Sequence, residues 1–296
     1  MEVKSNAIQT TFENQEKSLL KRVDELISLA LSEDLPDVTS DSVFEGTVAS
    51  DMWLHGSMMA KESGVLCGIG LVPRVFHALD PRVIILIAKE DGSPVEPGDM
   101  VAEVAGPAKA ILSGERTALN FVQRLSGVAT RASKFADLAS RSSPGNSCKI
   151  LDTRKTTPGF RDLEKYAARV GGVVNHRFSL ADMALEKDNH ITASGGSLVE
   201  AVRRVRAKYG DIMPVEAEAK NLEEVRAALT QIKPPLTRLM LDNMSTQDMT
   251  MAVKLRDQLS AEDSSRGHVP LEASGGVNLS TVSKIAATGV EYISVG

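Results

Sequence analysis

Residues 212–242 read IMPVEAEAKNLEEVRAALTQIKPPLTRLMLD. Ile212–Glu218 is a short run suited to a strand, Leu222–Ile232 carries apolar residues at helical spacing, and Arg238–Asp242 is strand-like again. Strand, helix and strand in about thirty residues form a βαβ unit, whose crossover demands a parallel strand pair. Downstream the pattern repeats, with Gln247–Leu259 helical, Pro270–Ser274 a strand, Leu279–Ala287 helical and Tyr292–Val295 a strand. Upstream, Lys149–Thr153 reads as a strand and Asp162–Val170 as the helix after it. A rhythm kept up over this length predicts a parallel sheet closed, or nearly closed, into an α/β barrel.

The first part of the chain is organised differently. Leu19, Leu20, Val23, Leu26, Ile27, Ala30 and Leu31 give Glu16–Leu35 the stripe of an amphipathic helix that ends before Pro36. From Val38 to Leu112 short β-like runs follow: Trp53–Ala60, Gly64–Gly68, Val83–Ala88 and Met100–Val104, with turns at Pro94 and Glu96-Pro97-Gly98-Asp99. An α+β domain is expected there. Ser113–Arg141 reads as a long helix into the second domain, with Ser113 able to cap it and Gly127 able to interrupt it.

A chain of 296 residues, 42% hydrophobic and 25% charged, is globular rather than disordered. Its longest aliphatic run, Val83–Ala88, is too short to cross a bilayer, so no membrane span is expected. Met1–Lys17 shows neither an apolar h-region nor an Arg-rich leader, and Cys67 and Cys148 form no C-x-x-C, so a reduced cytoplasmic setting is expected. A net charge of −5 argues against nucleic acid as a partner. Between Arg116 and Lys187, however, thirteen Lys and Arg face only six Asp and Glu, a local excess suited to a small polyanion.

Polar residues recur where the expected strands end, and in an α/β barrel those ends share one face, where catalytic groups collect. Asp152-Thr153-Arg154-Lys155-Thr156-Thr157-Pro158-Gly159 places two cations after a strand, and an Arg fork grips a carboxylate or phosphate. Asn175-His176-Arg177 and Lys187-Asp188-Asn189-His190 add further cations, although a histidine such as His190 fits a structural role equally well. Glu218 and Asp242, at consecutive strand ends, suit sugar hydroxyls, Mg²⁺ or a developing positive charge, and are equally fitted to pair with those cations. Glu216, two residues before Glu218, points to the same side and suits a partner inside the barrel. Ser274-Gly275-Gly276, between a strand and a helix, offers backbone amides and a helix N-terminus to a phosphate.

With Gly114–Phe121, Gln123–Gly127, Leu241-Asp242-Asn243, Glu272–Gly276 and Ile293–Gly296, these segments resemble the signatures of the quinolinate phosphoribosyltransferase family, in family order from about Leu29 to the last residue. The resemblance implies an N-terminal α/β sandwich domain over 1–125 and an incomplete, roughly seven-stranded α/β barrel over 126–296. It implies Mg²⁺-dependent transfer of phosphoribosyl from phosphoribosyl pyrophosphate to quinolinate with decarboxylation. It also implies a homodimer in which Arg116 reaches into the partner's barrel mouth. By the same carry-over, Arg154, Lys155, His176 and Arg177 hold the quinolinate carboxylates, Lys187 lies near the phosphoribosyl pyrophosphate, and Glu218 and Asp242 hold ribose hydroxyls and Mg²⁺. Ser274, Gly275, Gly276 and Gly296 cradle the 5-phosphate, and the catalytic set is Lys155, Lys187, Glu218 and Asp242.

The sequence departs from the family pattern at Ser179, where Gly is common, at Glu186, where an aliphatic residue precedes the lysine, and at Ala217 in place of Val. Family members also run on beyond the position of Gly296, so a C-terminal truncation and lower stability are expected. Four rivals to this reading are a paralogue associated with molybdate transport, a nicotinate salvage transferase, a Schiff-base aldolase built on Lys155 or Lys187, and a non-catalytic binder.

Overall fold

The computed structural model describes residues 20–36, 47–49, 51–143, 145 and 148–296, so the expected helix start at Glu16 and strand region at Val38 lie outside the described residues. The chain divides into two compact units, one comprising residues to Thr130 plus Thr157–Gly171, the other Arg131–Thr156 plus Gly172–Gly296.

In the first unit, helix α1 (residues 20–34) buries Val23, Ile27 and Leu31, the positions its apolar stripe predicts. Strands β1 (Trp53–Met59), β3 (Ile84–Ile87) and β5 (Met100–Pro107) form an antiparallel sheet in the order β1-β5-β3, and β2 (Gly64–Val65) pairs with β4 (Pro94–Val95). Helix α2 (Leu71–Leu79), which the reading of β-like runs passed over, packs Val72, Val75 and Phe76 into the core. Helix α3 runs unbroken from Ala108 to Ser142. It starts five residues before the expected cap at Ser113 because Ala108-Lys109-Ala110-Ile111 are helix-compatible residues. It passes through Gly127 because the about 1 kcal/mol that glycine costs is offset by the burial of Leu125 and Ala129 on either side.

Helix α4 (Arg161–Val170) occupies the position expected of a barrel helix, yet it belongs to the first unit. Leu163 and Ala167 join that unit's core, Phe160 stacks on Phe121 at 5.8 Å, and the Tyr166 hydroxyl donates to Asp91 at 2.7 Å. Periodicity reveals an apolar face but not which core receives it. On the same helix Glu164 accepts hydrogen bonds from Arg124 Nη2 (2.7 Å), Thr157 Oγ1 (2.8 Å) and Thr157 N (3.0 Å). Burial would raise its carboxyl pKa, but these partners outweigh burial and hold it below the usual range. A depressed folded-state pKa means that the stabilisation is complete above the unfolded-state value and is lost as pH falls through the folded one. Glu164→Gln is therefore expected to cost roughly 1 kcal/mol at pH 7, and the gap from the parent should close in urea titrations below about pH 4. A gap independent of pH would reject this account.

The second unit holds a six-stranded parallel sheet in the order β6-β11-β10-β9-β8-β7. Its strands are β6 (Lys149–Leu151), β7 (Ala184–Glu186), β8 (Val215–Ala219), β9 (Arg238–Asp242), β10 (Leu271–Ser274) and β11 (Tyr292–Ser294). Among the described residues an isolated parallel bridge, Leu151 to Val174, continues the order beyond β6 and supplies a seventh position. Helices α5 (Asp188–Ala193), α6 (Leu198–Tyr209), α7 (Leu222–Gln231), α8 (Thr246–Glu262) and α9 (Val282–Ala286) connect these strands. The starts of α6, α7 and α8 are fixed by Ser197, Asn221 and Ser245, whose side chains accept the amides of Glu200, Glu224 and Asp248.

Partners in a parallel ladder point to the same face, so the register sorts the side chains. One face carries Ala217, Ala219, Leu239, Leu241, Leu271, Ala273 and Ile293, all fully buried. The other carries Glu216, Glu218, Arg238, Asp242, Glu272, Ser274, Tyr292 and Ser294. The sequence VEAEA on β8 is thus a strand with a small apolar outside and an acidic inside. Among the described residues no helix is long and apolar enough to cross a membrane, and Cys67 and Cys148 are free and buried.

Candidate active site

Because the sheet is parallel, the loops after its strands share one edge, and the inward side chains lead up to it. Asp152, at the end of β6, is buried and accepts the His176 amide (2.8 Å) and Asn175 Nδ2 (2.6 Å). That acid therefore fixes the Asn175-His176-Arg177 turn rather than facing a ligand. Arg177 Nη1 donates to the Met183 carbonyl at 2.8 Å. Burial and then the neighbouring Arg154 lower its pKa, with Glu216, Asp182 and Glu218 opposing them, so the two expected arginines lie within electrostatic reach of each other. Asp182 in turn accepts the amides of Phe178 and Ser179 and the Ser179 hydroxyl, giving the serine that departs from the family pattern a local structural task.

Lys187 Nζ lies 3.0 Å from Glu218 Oε1, joining the loop after β7 to β8. Glu186 pairs with Ala217 in the ladder, whereas Lys187 continues the face of Leu185, the partner of Glu216. Glu186 is therefore on the opposite face from Lys187 and does not neutralise it; its half-buried carboxyl is pushed up by burial, with His190 opposing. His190 Nδ1 faces the Lys187 amide at 3.4 Å, a helix-entry role.

Asp242 and Ser274 are ladder partners, and Asn243 Nδ2 donates to Asp242 Oδ2 at 3.0 Å. Gly275 and Gly276 have φ of +99° and +63°, which suits glycine and turns the chain at the mouth. The expected helix behind them is displaced. Helix α9 begins only at Val282 and is five residues long, so Gly275 and Gly276 offer a tight backbone turn and not the end of a helix. A Cβ on Gly296 would lie 3.0 Å from Lys155 Cδ and 3.5 Å from Nζ, which places this glycine against the lysine of the β6 loop. Arg154, Lys155, His176, Arg177, Lys187, Glu218, Asp242, Ser274, Gly275, Gly276 and Gly296 all belong to the second unit, while Arg116 is exposed on α3 in the first.

The sequence reading treated His176 only as a ligand contact. Its ring is buried, with Nε2 3.1 Å from Glu216 and 3.6 Å from Glu272. Glu272 also takes Arg238 Nη1 and the Ser294 hydroxyl, both at 2.5 Å, and Arg238 lies 4.4 Å over the Tyr292 ring. Burial disfavours a charged imidazole, and the two neighbouring carboxylates oppose that effect. Yet the Arg177 amide donates to Nδ1 at 2.8 Å, which a doubly protonated ring cannot accept. The backbone amide has no alternative proton position, so the ring is the Nε2–H tautomer. Glu216, whose carboxyl burial pushes up to about 7, is the group fitted to take any further proton. Burial acts on Glu272 as well, but His176 and Arg238 outweigh it and hold that carboxyl down to about 2. Arg238, Tyr292 and Ser294 were missed by sequence; the available signal was polar residues recurring at alternate positions on four successive strands, broken only by Met240.

Comparison with known proteins agrees with this architecture. Residues 37–126 match the family model described as the quinolinate phosphoribosyl transferase N-terminal domain, and residues 128–296 match that described as its C-terminal domain. The chain is 40% identical over 276 residues to quinolinate phosphoribosyltransferase [decarboxylating] 1b of Nicotiana tabacum, covering 92% of this chain and 77% of that one. It is 38% identical to a probable nicotinate-nucleotide pyrophosphorylase [carboxylating] of Bacillus subtilis, covering 88% and 82%. The crystal structure of NadC from Streptococcus pyogenes superposes with a TM-score of 0.82 at 34% identity, covering 93% of this chain and 90% of that one. With both domains matched in order over most of its length, the chain belongs to the quinolinate phosphoribosyl transferase family.

Proposed function

We propose that this chain transfers phosphoribosyl from phosphoribosyl pyrophosphate to quinolinate and releases carbon dioxide, giving nicotinate mononucleotide and pyrophosphate for NAD synthesis. What supports the reading is Lys187 at 3.0 Å from Glu218 and Arg177 within electrostatic reach of Arg154 and Glu218, on the sheet face that also carries Asp242. Two polyanions repel each other, and only a dense cationic pocket holds both. The arginine pair suits a dicarboxylate better than the single carboxylate of nicotinate. The pyridine nitrogen attacks the ribose carbon as its bond to pyrophosphate breaks, and the positive charge that develops on the sugar is stabilised by Glu218 and Asp242. Breaking the bond to the 2-carboxylate then leaves an electron pair on the ring carbon, stabilised by the pyridinium, until a proton is taken up. No protein nucleophile is required, and the residues orient the reactants and exclude water.

Glu218 and Asp242 are hard oxygen donors on the same face of neighbouring strands, a set that fits Mg²⁺ completed by substrate phosphates. Bound there, the ion would neutralise charge on the departing pyrophosphate. Exposed Trp53, Ile84 and Leu86 on β1 and β3 support a homodimer, with Arg116 acting on the partner's site. Two free thiols support a reducing cytoplasmic setting.

Supplying quinolinate, phosphoribosyl pyrophosphate and Mg²⁺ should yield nicotinate mononucleotide and carbon dioxide in equal amounts. EDTA should abolish turnover, and Mg²⁺ should restore it. Equal use of nicotinate would replace this reading with a salvage transferase, and ligand binding without carbon dioxide release would leave a binding protein.

A further inference from the structure

The interior of the second unit buries two carboxylates, Glu216 and Glu272, and sets the half-buried Arg238 against one of them, where an apolar layer would pack more cheaply, since desolvating such charges commonly cancels their attraction. Stability alone does not account for Glu216, Glu272 and Arg238. The ligand atoms of Glu216, Glu272 and His176 lie within 4.8 Å of one another, as a metal site requires. However, Arg238 sits against Glu272, and the Arg177 amide on Nδ1 leaves the ring proton on Nε2, at ion-pair distance from both carboxylates, so the cluster is a charge-paired array.

Its geometry runs from the barrel interior to the mouth. Arg238 on β9, stacked over Tyr292, and Ser294 on β11 immobilise Glu272 on β10. Glu272 and Glu216, from β10 and β8, flank the inner nitrogen of His176. The outer nitrogen receives the Arg177 amide, while Asp152 accepts the amide of His176 itself. Two successive amides are thereby clamped, and the residue they aim is Arg177.

We propose that Glu272, held by Arg238 and Ser294, is a positioning residue that locks the His176 ring and through it the backbone of Arg177, so setting the pocket's grip on the dicarboxylate. The proposal rests on the reading that Arg177 binds a quinolinate carboxylate. Glu272→Gln turns an amide NH2 toward donors already present on Arg238 and His176. It is expected to raise the KM for quinolinate about tenfold while leaving that for phosphoribosyl pyrophosphate within about twofold, since a small misplacement of a binding group acts on the ligand it holds.

The double variant Glu272→Leu with Arg238→Leu removes both charges together. It should recover a thermal midpoint close to the parent's yet keep the weakened quinolinate KM, which a purely structural role would not do. Imidazole nitrogen NMR should show loss of the single Nε2–H form in both variants. Quinolinate KM values within twofold of the parent, or an unchanged ring tautomer, would overturn the proposal. An unmodified chain that turns over no quinolinate would instead overturn the functional reading beneath it.

Discussion

Replacing Arg177 by Ala is expected to weaken quinolinate binding by about 2–5 kcal/mol, the range for removing one member of a desolvated charge pair. The guanidinium is partly buried, anchored on the Met183 carbonyl, and close enough to Arg154 for that cation to disfavour its charge. Such an arrangement costs energy until an anion enters, and a ring carrying two carboxylates relieves it. Binding measured by calorimetry without phosphoribosyl pyrophosphate isolates this effect. Arg177→Lys should recover only part of the loss, because an ammonium cannot reproduce the two-pronged geometry. A loss below roughly 0.5 kcal/mol, the ordinary range for surface substitutions, would remove Arg177 from the pocket.

The second large effect is expected at Gly275. With φ at +99°, any side chain there is strained, and a Cβ would fall within the contact radius of Asn243 Oδ1. Asn243 is itself the one non-glycine residue with positive φ among the described residues, at 54°, and its amide donates to the Ser274 carbonyl at 2.9 Å. Two strained turns thus interlock beside Asp242. Gly275→Ala should cost roughly 2–4 kcal/mol of stability, combining backbone strain and overpacking, and should raise the KM for phosphoribosyl pyrophosphate far more than that for quinolinate. Gly276→Ala is the control. Its φ of +63° lies in the left-handed region, and nothing stands within 4 Å of the new Cβ, so about 1 kcal/mol is expected. Equal losses in the two variants would show that the Asn243 approach does not govern the turn.

How much of this was legible depended on the kind of signal. Arg238–Asp242 was bounded correctly from its residues, because a run of four apolar or long side chains before an acidic end has few alternatives. The helix Leu198–Tyr209 was passed over, although its cap at Ser197 was visible in the sequence. The Arg161–Val170 helix was read as helical and assigned to the barrel, whereas Leu163 and Ala167 pack in the other core, since a local period carries no address. Glu186 posed a question that sequence left open, and a single ladder register answered it.

The sequence by itself determined the alternation of strand and helix, the excess of positive charge between Arg116 and Lys187, and the segments that carry the family resemblance. These are properties of neighbours along the chain, fixed by side-chain type and spacing. Only the tertiary structure decided that Lys187 meets Glu218, that Asp152 serves the backbone of His176, and that Glu216, Glu272 and Arg238 stack beneath the pocket. Those pairings join residues at least 24 positions apart, with Asp152 and His176 the nearest to each other along the chain. The register of the sheet sets them, because a shift of one residue would turn every inward carboxylate outward.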